Sequence, residues 1–532
     1  MKLLAAAAVA AFSSFAAAPM AHAQDNAADA CRALTSLASP TLHIETADLA
    51  PAGQMKAAFG PPGAPALVLP EHCIVRGMLN PRTGVGGKSY GIGFEVRLPT
   101  TWNGRFLFQG GGGLDGAVQP ALGMTGIGQP TALARGFAVV STDAGHEGPD
   151  ASFGSDQQAR LDYAYQALGK VTAEAKTIIA NFYGRPAKWS YFMGCSNGGR
   201  QGMMAAQRYP LEFDGIIAGD PGFRLSRAAV GELWDTAQLS RIAPRDAQGR
   251  PIVSQALTPG DLQVLAEGVL GACDGLDGLK DGLINDVRAC RFNPKVLTCK
   301  AGAAEGCLTS AKVATIERIF GGAHDSKGRP LYASWPYDAG VADMGWRIWK
   351  MGSAPSGAAN GINQTMGLDA LRRYFVTPQD AAISAEAFDF DKAADLTAET
   401  GAINDPTSTF LTSFVGHGGR LLIYQGVSDP VFSANDIIGW YDRLATDAGP
   451  PEPWARLFLV PGMNHCQGGP ATDRFDALSA LQAWVEEGRP PEQLVATGAS
   501  FPGQSRPLCP YPKAARYTGG DKASAESFSC SP

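Results

Sequence analysis

The sequence predicts an α/β fold built on a mostly parallel sheet and interrupted by a large insertion. Three observations predict it. Short apolar runs alternate with helical stretches from Gly91 to Pro221. A sharp Gly-flanked turn, Gly194-Cys195-Ser196-Asn197-Gly198, joins one such run to one such helix. The alternation lapses after Pro221 and resumes at Gly419.

The elements follow in order. Residues 24–80 are Pro- and Ala-rich and are read as an N-terminal docking segment stapled by one disulfide. Ile92–Leu98 alternates apolar and polar residues and reads as a strand stopped by Pro99. Trp102-Asn103-Gly104 is a turn, and Arg105–Gln109 is a second strand running into Gly110-Gly111-Gly112-Gly113. Four glycines in a row are costly in chain entropy, and one use for them is a loop whose N–H groups face a developing negative charge. The alternative is a hinge or a phosphate loop, and no Walker lysine follows. Gly136–Asp143 reads as a buried strand, with His146 in the next loop taken as structural rather than catalytic. Residues 160–183 read as a helix ended by Gly184.

Trp189–Met193 is the strand before Ser196, and residues 200–209 form a helix stopped at Pro210. Strand, tight glycine turn and helix make G-x-S-x-G a nucleophile elbow, which lifts the serine hydroxyl out of the sheet edge. Asp214–Pro221 is the next strand and its exit. Gly419–Gln425 ends in a turn carrying Asp429, whereas Asp436 and Asp442 lie in helical sequence. Ala455–Val460 leads into Pro461-Gly462-Met463-Asn464-His465-Cys466. The order Ser196, Asp429, His465, each at a strand's end, is the nucleophile–acid–base order of an α/β-hydrolase fold. The expected catalytic domain spans 24–220 and 418–532, and 221–417, too long for a loop, is expected to be a lid domain over the sheet's active edge.

The chain of 532 residues carries a net charge of −6 and only 18% charged residues, with no basic patch for nucleic acid. Lys2, an apolar run to Ala18 and Ala21-His22-Ala23 read as a signal peptide over residues 1–23, with the mature protein secreted or periplasmic. The competing reading is a membrane anchor, but the run is short and Pro19 interrupts it.

Ten cysteines in an exported chain point to disulfides, and no C-x-x-C pair suggests zinc or redox chemistry. Their connectivity does not follow from sequence. Neighbour pairing is the simplest arrangement: Cys31–Cys73, Cys273–Cys290, Cys299–Cys307 and Cys509–Cys530. It leaves Cys195, beside Ser196, and Cys466, beside His465, which a working triad brings together; the alternative is two buried thiols.

Cys273–Ile284 carries Asp274, Asp277 and Asp281 between glycines. Crowded carboxylates repel one another unless a hard cation sits among them, and the carbonyls of Leu279 and Leu283 are further oxygen donors for calcium. The alternative is a solvated Asp-Gly turn series.

Taken together, Cys195-Ser196, His465-Cys466, Asp429-Pro430 and the Asp-Gly loop resemble the tannase and feruloyl esterase family across most of the chain. The resemblance implies a secreted serine esterase with an α/β-hydrolase core and a calcium-binding lid. It implies action on esters of aromatic acids, galloyl, hydroxycinnamoyl or mono(2-hydroxyethyl) terephthalate. It makes Asp274, Asp277, Asp281 and the carbonyls of Leu279 and Leu283 the calcium ligands, and Cys195–Cys466 an active-site disulfide. One oxyanion donor is then the N–H of Asn197, and the other falls in Gly110–Gly113, with Gly111 and Gly112 as candidates. The same triad would also serve an acyltransferase or peptidase, or stand in a catalytically silent binding protein.

Overall fold

Nine strands hydrogen-bond into one sheet. They are β1 (Leu42–Ala50), β2 (His72–Thr83), β3 (Ser89–Pro99), β4 (Arg105–Gln109), β5 (Ala138–Thr142), β6 (Trp189–Cys195), β7 (Gly215–Gly219), β8 (Arg420–Gly426) and β9 (Ala455–Val460). Their spatial order is β1-β2-β3-β5-β4-β6-β7-β8-β9. The pairs from β1 to β5 through β2 and β3 are antiparallel, and every pair from β5 to β9 is parallel. This is the α/β-hydrolase fold. The computed structural model describes residues 21–532 apart from 38, 57–65, 127 and 303–304, so most of the expected signal peptide lies outside the described residues.

The inner strands are buried on both faces because helices cover them. Val139, Val140, Phe192, Ile216, Ile217, Leu421, Leu422 and Leu457 are all fully buried. Continuous apolar runs, rather than alternation, are what a parallel sheet covered on both sides requires. One face packs against helices Ala167–Tyr183, Asn197–Arg208 and Ala434–Ala448, the other against Ala477–Glu487. The expected helix over 160–183 is present, with a π-turn at Asp162–Gln166 inserted near its start.

The N-terminal segment departs from expectation. It supplies two strands of the main sheet, β1 and β2, instead of only docking against it. The strand β2 tolerates Pro81 because the register shifts between Leu79 and Arg82, where Asn80 takes φ 50°.

Between β7 and β8 the named elements of the described residues are helices, including Leu225–Ser240, Pro259–Cys273, Ser310–Phe320 and Met344–Lys350. They bury a cluster of their own, with Leu233, Leu265, Ile316, Trp346 and Leu371 in its middle, which continues onto Phe153 and Tyr163 of the sheet domain. Among the described residues, no helix is long and apolar enough to cross a membrane.

All ten cysteines are paired, as Cys31–Cys73, Cys195–Cys466, Cys273–Cys290, Cys299–Cys307 and Cys509–Cys530.

Candidate active site

The carboxyl ends of β6, β8 and β9 bring three predicted side chains together. Ser196 follows β6 and takes φ 66°, a left-handed strain for a non-glycine residue. Its glycines permit the sharp turn. A Cβ on Gly198 would stand 2.6 Å from the carbonyl oxygen of Gly111, so only glycine lets the elbow meet that loop.

The hydroxyl of Ser196 lies 2.8 Å from Nε2 of His465. The other ring nitrogen, Nδ1, lies 2.9 Å from Oδ2 of Asp429. Asp429 is 1% exposed, and its Oδ1 accepts the N–H groups of Val431 at 2.7 Å and Phe432 at 3.2 Å. Asp436 and Asp442 are engaged elsewhere, with Arg224 and the hydroxyl of Tyr511. A serine hydroxyl, an imidazole and a buried carboxylate in this chain of bonds have the connectivity of nucleophile, general base and orienting acid.

The glycine loop sits against the elbow. The N–H of Gly110 donates to Met193 and that of Gly111 to Oε1 of Gln201, at 2.8 and 3.0 Å. The N–H of Gly112 faces the Asp115 carboxyl, and a Cβ there would meet open space. Asn197 begins the helix after Ser196, so its N–H belongs to a positive helix end. Its side chain donates to Asp115 at 2.6 Å, and Gln201 donates to the same carboxyl at 2.8 Å. Burial pushes the Asp115 carboxyl up to about 6, against these two donors. Asp115 thus ties the glycine loop to the elbow, a role that no local signal reveals.

The inserted segment supplies part of the walls, with Trp349 and Met366, and the turn after β8 adds Phe432. The Trp349 and Phe432 rings lie edge-on to the His465 ring, at centroid distances of 5.1 and 5.3 Å. The sulfur of Met366 lies 3.5 Å from where a Cβ on Gly113 would stand. Helix Met344–Lys350, which carries Trp349, is capped by Asp343, and the same carboxylate accepts from Asn464, next to His465, at 2.7 Å. His146 is buried against Phe153, and burial lowers its imidazole to about 4, so it stands neutral.

The Asp-Gly loop lies apart from these residues. Oδ1 of Asp274 accepts from the N–H groups of Asp281 and Gly282. Asp277 accepts from Leu279 N–H and the Asn285 amide. Asp281 accepts from Leu283 N–H and pairs with Arg506 at 2.6 Å. Burial raises the Asp274 and Asp277 carboxyls, and the charge of Asp281 raises both further. Among the described residues, the groups of three His, Cys, Asp or Glu ligand atoms within 4.8 Å of one another lie beside His465, and these three aspartates do not form one. The oxygen-only donor set, with three carboxyls crowded on one loop, fits a hard cation in its chemistry.

A family model described as tannase and feruloyl esterase matches residues 73–531. The chain is 41% identical to a mono(2-hydroxyethyl) terephthalate hydrolase of Piscinibacter sakaiensis, over 88% of this chain and 86% of that one. It is 33% identical to an uncharacterized esterase of Xanthomonas campestris pv. campestris, over 95% and 92%. The structure of feruloyl esterase B from Aspergillus oryzae superposes with a TM-score of 0.79 at 25% identity, covering 95% of this chain and all (100%) of that one. Tannin acyl hydrolase from Aspergillus niger shares the fold, with a TM-score of 0.71 at 22% identity over 96% and 94%.

Proposed function

The chain belongs to the tannase and feruloyl esterase family, a carboxylic-ester hydrolase, and from that premise we propose that it cleaves esters of aromatic acids at Ser196. The observation that carries this reading is the Ser196–His465–Asp429 hydrogen-bond chain under a wall of Trp349, Phe432 and Met366. In it, His465 Nε2 takes the hydroxyl proton as the serine oxygen attacks the ester carbonyl. Asp429 holds the ring in the tautomer that leaves Nε2 free and stabilises the imidazolium. The carbonyl oxygen becomes an oxyanion, and its donors are the N–H of Asn197 and one N–H from Gly111 or Gly112, which in the resting site face Gln201 and Asp115. His465 then returns the proton to the leaving alcohol. Water, activated by the same imidazole, releases the acid from the acyl-serine.

The flat walls favour a planar acyl group, since aromatic rings and a thioether gain most from stacking and edge contacts. Residues 221–417 act as the lid that carries part of this wall. Asp274, Asp277 and Asp281 with the carbonyls of Leu279 and Leu283 would hold calcium, which would supply structural charge neutralisation of the crowded carboxylates. The protein is secreted or periplasmic, in keeping with its five disulfides.

Product release from methyl gallate, methyl ferulate, methyl p-hydroxybenzoate and mono(2-hydroxyethyl) terephthalate, with ethyl acetate as the aliphatic control, tests the reading. At least one aromatic ester should exceed the acetate in kcat/KM. Preference for the acetate over all four would overturn the aromatic assignment.

A further inference from the structure

Behind Asp429 lies a second carboxyl that the reaction as described does not use. Asp220 follows β7, is fully buried and takes φ 36°. Its Oδ1 accepts the N–H of Gly426 at 2.7 Å and the Gln425 amide at 3.1 Å. That amide also donates to Oδ2 of Asp429 at 3.1 Å, so one side chain bridges the two acids. Oδ2 of Asp220 lies 3.6 Å from the sulfur of Cys195, and Cys466 donates its N–H to the same carboxyl. Carboxyl oxygens of Asp220 and Asp429 and a ring nitrogen of His465 lie within 4.8 Å of one another. Asp220 therefore touches the neighbours of nucleophile, acid and base at once.

Two carboxylates this close, both buried, cannot both carry charge. We infer that Asp220 is a positioning residue for the same reaction: it holds the one proton of the pair, donates it in a hydrogen bond to Asp429, and so steadies Asp429 against Nδ1 of His465. Burial, then the charge of Asp429, hold the Asp220 carboxyl well above the usual carboxylate range. The other titratable groups facing the pair are His465, Tyr424 on β8, and Tyr332 and Glu232 from the inserted segment, while Cys195 and Cys466 are locked in a disulfide. The inference rests on the triad reading above.

The test uses the full protein and two readouts. One is the rate at which a fluorophosphonate labels Ser196, which needs the triad but no particular ester. The other is kcat and KM on an aromatic ester. Asp220→Asn keeps a donor toward Asp429 and an acceptor toward Gly426, so it should label within a few-fold of wild type. Asp220→Ala should label about tenfold or more slowly, because small displacements of reacting groups are expensive. Its kcat should fall with KM kept. The wild-type labelling rate should decline on the alkaline side, where the shared proton is lost, and the Asn variant should not. Labelling of the Ala variant at the wild-type rate, an Asn variant as slow as the Ala one, or a change confined to KM would overturn the inference. If the Ala variant does not fold, the alkaline limb of wild type against Asn decides. If no ester is cleaved but labelling keeps the predicted order, the substrate reading fails and this one stands.

Discussion

Cys195 and Cys466, 271 residues apart, are joined by a disulfide that lies directly beside Ser196 on one side and His465 on the other. The crosslink ties the nucleophile's strand to the loop of its base. Crosslinking so long a segment removes freedom from the unfolded chain and is worth about 2–4 kcal/mol in typical cases. Its position makes it more consequential for rate than for folding.

Replacing both cysteines by Ala should thus lower kcat by more than the loss of thermal stability accounts for. The expected result is a folded protein at assay temperature with kcat reduced about tenfold or more. Wild-type kcat in the double variant would show that the crosslink does not position the triad. A non-reduced digest should yield the Cys195 and Cys466 peptides as one species.

Stability should fall as pH rises across the neutral range. Burial pushes Asp143 up to about 7 and Glu232 up to about 8. In the unfolded chain these groups titrate near 3.9 and 4.3. Between those limits the folded state holds protons that the unfolded state has released, so their contribution is full below about pH 4 and is lost as pH climbs. Melting temperature should be higher at about pH 5 than at about pH 9, and Glu232→Gln should shrink that difference. A melting temperature that climbs over this interval would contradict the assignment.

Calcium removal should lower the melting temperature, since a ligand that binds only the folded state stabilises it by mass action. Asp277→Asn should mimic chelation and leave a wild-type labelling rate at Ser196. Metal-free protein whose melting curve ignores added calcium would dismiss the site. The C-terminal strands belong to this test: Arg506 pairs with Asp281, and Arg516 donates to the carbonyl of Leu276. Loosening the loop should therefore loosen the C-terminal strands too, visible as faster hydrogen exchange at residues 501–531.

What was legible in the sequence was local. Ser196, Asp429 and His465 each sit at the end of an apolar run, in a turn with its own signature, and the structure brings all three within hydrogen-bond reach. The inner strands were legible because burial on both faces makes them continuously apolar. The edge strand β1 was not. It alternates Leu42, Ile44 and Ala47 with exposed His43, Glu45 and Asp48, and Ala- and Pro-rich sequence surrounds it. The roles of Asp115 and Asp220 were hidden for another reason: their partners arrive from other strands and loops. A faint signal existed for Asp220. Gly219-Asp220-Pro221 and Ser428-Asp429-Pro430 both place Asp-Pro after an apolar run, and β7 and β8 pair side by side.

The most direct test of the account is to titrate the protein with a fluorophosphonate while following hydrolysis of an aromatic ester. The account predicts one label per chain, mapped to the peptide holding Ser196, with hydrolysis lost in step with labelling. Ser196→Ala should take no label and lose about 10^4-fold or more in turnover while keeping its melting temperature. Hydrolysis that survives complete labelling, or a Ser196→Ala protein that still cleaves the ester near the wild-type rate, would contradict it.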